Sequence, residues 1–502
     1  MNTAKCLALS LVLVTAAGVT IAAEPLFEDV TAGMGLSAPG SRSSAAWADL
    51  DNDGWPDLIV QGRIWRNLQG KGFAEITKES GIAQPGYFSV AADFNGDGHI
   101  DLVFPDRKDP LWLGDGKGHF TPGEMTPPPN LKSQGATAAD FDGDGWVDLY
   151  VSSFESWKPQ RSFPDFRYRN NQGKLELAWT AEPGETMRGR CATAADFNND
   201  GAVDIYVGNY RLQPNFLWVN DGKGNFVNRA REYGAAGSER PGTTFTTDYK
   251  VKYNSSGHTI SALWGDFDND GWIDLFVGNF SHPPKYQDRA QFLQNGGPDK
   301  EFHFIDRSAD AKLTWQESYS GSAAADYDND GRLDLFFATV YKNDKSRLFH
   351  NEGDWRFKEV PEGGGIKSAL TYQAAWADFD NDGRVDLFTA GKLYRNVGPA
   401  GNYLRLKLTD RAPNTTAIGA VVKVSGNGVL PQMRQVETGT GTGCQNESAL
   451  HFGLGNSTGE VTAEIRWPDG TTESFPNLKS NTYYQIVRGG KPEVFRGGKP
   501  QK

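Results

Sequence analysis

The chain has 502 residues, with 51 Lys and Arg against 63 Asp and Glu, giving a formal net charge of −12. That balance excludes a nucleic-acid partner held on a basic surface. With 59 Gly, 14 Trp and 29 Phe and no long helical period, the composition fits an all-β fold of many short strands, long enough for one large domain plus a small one.

In chain order, residues 1–23 read as a secretory signal peptide: Lys5, an apolar run Cys6–Ala17, then small residues at Ala22 and Ala23. A retained membrane anchor is the competing reading. No later segment is apolar enough to span a bilayer, so no membrane span is expected after cleavage. The expected protein is secreted, extracellular or periplasmic.

From residue 49 onward one nine-residue phrase, D-[LFY]-[DN]-[NG]-D-G-x-x-D, occurs seven times. Oxygens at positions 1, 3, 5 and 9 suit one hard cation, and the glycine at position 6 permits the sharp turn. The candidate metal ligands are Asp49, Asp51, Asp53 and Asp57; Asp93, Asn95, Asp97 and Asp101; Asp140, Asp142, Asp144 and Asp148; and Asp196, Asn198, Asp200 and Asp204. The remaining copies supply Asp266, Asp268, Asp270 and Asp274; Asp326, Asp328, Asp330 and Asp334; and Asp378, Asp380, Asp382 and Asp386. An EF-hand would carry Glu at position 12 between helices. Here the flanks are strand-like: SAAWAD precedes the first copy, and DLIV, DLYV or DLFV follow.

Up to seven structural Ca²⁺ ions are therefore expected, held more weakly where Asn95 and Asn198 replace a carboxylate. The bland reading, a set of Asp/Asn-Gly hairpin turns, does not account for an unvarying ninth-position Asp. The phrases hold 26 of the 63 carboxylates. Seven Ca²⁺ would bring the chain without its signal to about +1, so the acidity is that of metal sites rather than of a surface for basic partners.

Successive phrases are 44, 47, 56, 70, 60 and 52 residues apart, the range of a four-stranded propeller blade. Third strands are predicted at LWLGDGKGHF and LWVNDGKGNF, and fourth strands at Phe73, Phe304 and Phe357. The last unit stops at Leu393–Gly398 without a fourth strand, and FEDVT at Phe27–Thr31 supplies it from the other end. Residues 26–398 are thus predicted to close into a seven-bladed β-propeller with calcium-binding loops. A calcium-loop β-solenoid would need shorter, more uniform repeats. The phrase and its apolar flanks resemble the FG-GAP/VCBS repeat of integrin α-subunit propellers. The resemblance implies that each metal loop joins the innermost strand of a blade to the next on one rim, with ligands engaging the opposite face.

Beyond Asn402 the texture changes to NYLRLKL, GAVVKVSG, PQMRQVETGTG, ALHFGLG, VTAEIRWPDGTTESF and TYYQIV. These read as six short strands of a small β-sandwich-like domain over 402–488, followed by a flexible tail over 489–502. The runs G-T-G-C-Q-N-E, L-H-F-G-L-G and R-W-P-D-G resemble the ASPIC/UnbV domain, whose pattern carries an aromatic or aliphatic residue where Cys444 stands here. That resemblance implies no reaction and no ligand. Gly455–Gly459 fits G-x-S-x-G but joins two strands, and so reads as a hairpin turn rather than a nucleophile elbow. Cys191 and Cys444 remain after signal cleavage, and the sequence leaves open whether they pair.

The face opposite the metal loops carries long loops rich in aromatic and cationic residues. Its ligand candidates are Trp157, Arg188, Arg190, Tyr210, Arg211, Phe280, His282, Tyr286, Tyr341 and Lys342. Each could instead pack within its own loop. Together they suit an extracellular protein or polysaccharide partner. No H-E-x-x-H, C-x-x-C or closely spaced histidine pair occurs, and carboxylates held ionised by metal are poor general acids. A binding scaffold of adhesion type, without catalytic residues, is the expected function. The alternative is a carbohydrate-active enzyme, a lyase or dehydratase, using His282 or His258 on the same face.

Overall fold

A computed structural model describes residues 24–495 except 38–39, 42–43, 247, 249, 251, 282–288, 315–317 and 319–320. Residues 1–23, read from the sequence as a signal peptide, lie outside the described residues. The fold is all-β, and no helix among the described residues is long and apolar enough to cross a membrane.

Residues 27–396 form seven antiparallel four-stranded sheets. Each innermost strand lies against that of the next sheet, and the seventh lies against the first, so the sheets close into a ring. The innermost strands, such as Ala45–Ala48, Gly321–Ala325 and Ala374–Ala377, are rich in alanine. Small side chains are required where seven strands converge on one axis. The seventh sheet takes its outer strand from the N-terminus: Phe27 pairs with Asn396 and Asp29 with Tyr394. Chain start and propeller end are thereby latched, and no inter-blade edge is left open.

Six blades end their third strand with a buried asparagine: Asn67, Asn170, Asn220, Asn295, Asn351 and Asn396. Each amide bridges two blades. Asn220 Nδ2 donates to Val203 O of its own blade at 3.0 Å and to Phe141 O of the preceding blade at 2.8 Å, while Oδ1 accepts from Gly222 N. The same arrangement joins Asn67 to Phe379, Asn170 to Phe94, Asn295 to Phe197, Asn351 to Phe267 and Asn396 to Tyr327. Blade two has Gly114 instead, where a Cβ would lie 2.2 Å from Ile100 O. The seam between blades one and two therefore lacks this clasp.

Among the described residues the C-terminal domain has eight strands where the sequence predicts six, because VTAEIRWPDGTTESF folds back on itself as two strands and a short strand follows the last predicted one. One sheet is ordered Leu450–Gly455, Asn402–Thr409, Thr482–Val487, Glu493–Val494; the other is Val429–Gln435, Val421–Gly426, Val461–Arg466, Thr472–Leu478. Glu493–Val494 lies in the stretch expected to be a flexible tail. It pairs with Tyr484 and Gln485, and Phe495 beyond it packs on Trp55 and Tyr483. Residues 496–502 lie outside the described residues. Gly455–Gly459 links strands of different sheets, so it is a crossover and not a hairpin turn.

This domain sits on the metal-loop face and sends residues 435–447 into the propeller's central channel. Thr438 Oγ1 bonds both N and O of Ala138, and Gly439 O accepts from Thr193 Oγ1 at 2.8 Å. Gly441 N donates to Ala262 O and Thr442 Oγ1 to Ile260 O. Gln445 pairs its backbone with Ala45 and Trp47 and its side chain with Ala91, while Asn446 and Glu447 bond Trp376. Innermost strands would otherwise leave backbone groups unpaired around the axis, and the plug satisfies them. Glycine alternates with threonine because the backbone comes so close: a Cβ on Gly439 would lie 2.5 Å from Ala136 O, and one on Gly441 2.7 Å from Ser322 O.

Cys444 is buried in the plug and Cys191 in the inner strand of blade four, and both are free thiols. Burial pushes them up to about 11 and about 12, so neither is a ready nucleophile.

Candidate metal loops and the open face

Every phrase forms the turn between the first and second strands of a blade. Position 4 is Asn or Gly because the backbone is left-handed there, at φ 56° for Asn52 and 73° for Gly96. The Asn side chains link neighbouring loops: Asn269 donates to Gly331 O, and Asn329 to Gly383 O. The first-position carboxylate is held by backbone donors, as Asp49 accepts from Asp53 N and Gly54 N, both at 3.0 Å.

The ninth-position Asp has two jobs. Asp57 accepts from Leu50 N at 2.9 Å and Asn67 N at 2.7 Å, which ties the loop to the third strand. Asp101, Asp274 and Asp386 repeat the arrangement. In blades three and five the ninth carboxylate also joins positions 1 and 3, as in Asp140, Asp142 and Asp148 or Asp266, Asp268 and Asp274, whose ligand atoms lie within 4.8 Å of one another. Asp49, Asp51 and Asp53 converge in the same way, as do Asp326, Asp328 and Asp330. In blades two and four the substituted amides turn inward instead, Asn95 Nδ2 donating to Asp97 and Asn198 Nδ2 to Asp200.

These loops fit a hard cation. Asp51, Asp142, Asp328 and Asp380 each bury an Oδ1 that receives no donor, and so does Asp266. Without metal, burial and then the neighbouring carboxylates push Asp148 up to about 8 and Asp266 to about 7, and carry Asp57, Asp204 and Asp386 well above the usual carboxylate range. A cation is what would keep such a set ionised. One neighbour of the loops carries no motif in the sequence. His350 precedes the clasp residue Asn351, and its Nδ1 lies 3.3 Å from both Asp328 and Asp334. The equivalent residues Arg66, Arg169, Gln294 and Arg395 likewise reach Asp51, Asp142, Asp268 and Asp380, a signal legible only once the third strand is in register.

The C-terminal domain meets six of the seven loops at their first carboxylate. Lys407 Nζ lies 2.8 Å from Asp49, Arg466 2.9 Å from Asp196 and the buried Arg405 3.1 Å from Asp378. Thr415 donates to Asp93, Gly453 N to Asp326, and Arg434 exerts a favourable field on Asp266. The metal-loop face is thus a covered face.

Among the described residues the opposite face is open, and it gathers most of the predicted ligand residues. Arg211 lies 4.7 Å over the ring of Trp157, which is 66% exposed. Arg188 and Arg211 share Glu155, and Arg188 also pairs with Asp248. Arg190 sits among Phe154, Tyr210 and Tyr372. Phe280 bridges Tyr341 and Tyr372, and Lys342 is exposed beside Tyr341. Arg188 and Phe280 are buried, so they brace the face rather than present to a partner. His258 is also buried, packed edge-on against Tyr210. His282 and Tyr286 lie outside the described residues.

A model of the FG-GAP-like repeat matches residues 93–151, 196–277, 266–337 and 326–389, and one for ASPIC and UnbV matches 410–493. The chain belongs to the FG-GAP-like repeat family. Its C-terminal module is an ASPIC and UnbV domain. Among curated relatives this FG-GAP protein is similar to Cartilage acidic protein 1 of Mus musculus, 29% identical over 337 residues, covering 62% of this chain and 47% of the relative. The Homo sapiens form is 29% identical over 318 residues, covering 59% and 43%. The chain spans about half the length of the curated relatives it matches. Among solved structures, Saccharomyces cerevisiae Sqt1 gives a TM-score of 0.41 at 9% identity, covering 88% of this chain and 97% of that one. The V. cholerae biofilm matrix protein Bap1 gives 0.36 at 12%, covering 75% and 92%. At such scores the overlap is loose.

Proposed function

We propose that this protein is an extracellular or periplasmic binding scaffold whose blade loops are stiffened by Ca²⁺ and whose open face holds a partner protein or polysaccharide. One observation carries the reading. The ASPIC and UnbV domain occupies both the metal-loop face and the channel, which leaves to a partner the opposite rim, where Trp157, Tyr341 and Lys342 are exposed. That rim presents aromatic faces beside guanidinium groups, the chemistry of a ligand platform on a rigid frame. The loops supply only oxygen at positions 1, 3, 5 and 9, a donor set that suits Ca²⁺. Their role is to brace the rim. Kinship with Cartilage acidic protein 1 supports an extracellular setting.

The test is retention on immobilised matrix proteins and polysaccharides. Trp157→Ala with Arg211→Ala is expected to abolish retention, whereas Glu464→Lys, on the exposed side of the C-terminal domain, leaves it unchanged. The opposite pattern would overturn the proposal.

A further inference from the structure

We propose that the mouth of the plugged channel is a carboxylate-binding subsite anchored by Arg190, and that its ligand is an acidic polysaccharide. This rests on the open-face reading above and specifies its chemistry. Arg190 is the bulge residue of its inner strand: the register passes from Gly189 opposite Asn209 to Cys191 opposite Gly208 and leaves it unpaired. A bulge re-aims a side chain away from the ladder. The guanidinium carbon lies 4.6 Å from the ring of Phe154, 5.5 Å from Tyr210 and 5.7 Å from Tyr372. Those rings come from blade three, blade four and the entry to blade seven, so the group lies across the channel mouth.

Its charge is what sets it apart. Arg188 and Arg211 are neutralised by Glu155 and Asp248. Among the described residues no carboxylate pairs with Arg190, and its Nε is buried without an acceptor. A guanidinium stays protonated even when desolvated, and burial here weakens its hold on the proton without removing it. Aromatic faces compensate the face of the cation and leave its N–H edge unmatched. A carboxylate fits that edge, accepting two parallel hydrogen bonds.

The plug sets the shape of the site. Thr442 and Gly441 bond Ile260 and Ala262, so the channel is closed beneath the mouth and a ligand must lie across it rather than thread it. The flanking groups favour sugar over peptide. Trp157, three residues beyond Phe154, is held flat by Arg211, and Tyr341 is 37% exposed. Flat rings of this kind stack on the C–H faces of pyranoses, whereas a peptide would also need partners for its backbone.

The experiment uses the full calcium-loaded chain and measures affinity for polyglucuronate, its methyl ester and polyglutamate, with Arg190→Gln and Trp157→Ala variants checked by thermal melting. The acid form is expected to bind about 10–100-fold more tightly than the ester, the value of a charge-assisted pair. Arg190→Gln should erase that ratio, while Trp157→Ala weakens both sugars together. Should Arg190→Gln fail to fold, the acid-to-ester ratio of the unaltered protein still decides. Equal binding of acid and ester overturns the subsite while sparing the open-face reading. Tighter binding of polyglutamate overturns the polysaccharide assignment, and failure to bind any of the three polymers overturns the subsite outright.

Discussion

Replacing Asn220 by Ala tests how the ring is held together. The side chain is buried in the seam between blades three and four, donating to Phe141 O at 2.8 Å and Val203 O at 3.0 Å and accepting from Gly222 N at 3.1 Å. Alanine strands two carbonyls and one N–H. Gly222 is half-exposed, so water can reach its N–H, but the carbonyls lie in a dry seam. At about 1–3 kcal/mol for each unsatisfied buried group, the expected loss is about 2–6 kcal/mol. Urea unfolding in saturating Ca²⁺ measures it, with Asn171→Ala, an exposed neighbour of the blade-three clasp, expected to change stability by less than about 0.5 kcal/mol. If Asn220→Ala stays within that same small range, the clasp does not hold the seam.

Removing metal with EDTA should lower the melting temperature sharply, because loops holding up to four carboxylates are left with mutual repulsion and burial uncompensated; an unchanged melt refutes the metal reading. Metal-free protein should also depend on pH in an unusual direction. Asp148 at about 8 and Asp101 at about 7 lie above the unfolded value of about 4, so their contribution is full below about pH 4 and is lost as pH rises through 7 to 8. Melts at pH 5 and pH 8, with and without Ca²⁺, check the sign, and metal-free protein that is steadier at pH 8 contradicts it. Arg405→Met leaves Asp378 and Glu447 buried without their cation, and chemical denaturation should register a loss of about 3–5 kcal/mol. Gly439→Val drives a side chain into Ala136 O and Ala192 O, so the plug cannot seat. Small-angle scattering should then report an enlarged particle, and an unchanged radius speaks against the plug.

The sequence was most legible where chemistry repeats at fixed spacing. Seven phrases marked seven first-to-second-strand turns, and Phe27–Thr31 could be matched to the strand missing after Leu393 because both carry a local strand pattern. The clasp asparagines were in plain view ahead of a recurring glycine, yet nothing local says that their amides cross to another blade. The plug was harder still. G-T-G-T-G owes its composition to inner strands about 120 to 310 residues away in the chain, and no periodicity records such an approach. On the open face, residue type alone could not separate Arg188, neutralised and buried, from Arg190, which lacks a carboxylate; only the positions of Glu155 and Asp248 decide it.

With one face sealed by the metal loops and the C-terminal domain, the ligand is left the other. Hydrogen exchange of the calcium-loaded protein with and without polyglucuronate tests that arrangement directly. Protection is predicted at 154–157, 188–190 and 210–211, with residues 402–495 and the metal loops unchanged. Protection of the C-terminal domain or the metal loops, with the open face unaffected, would contradict it.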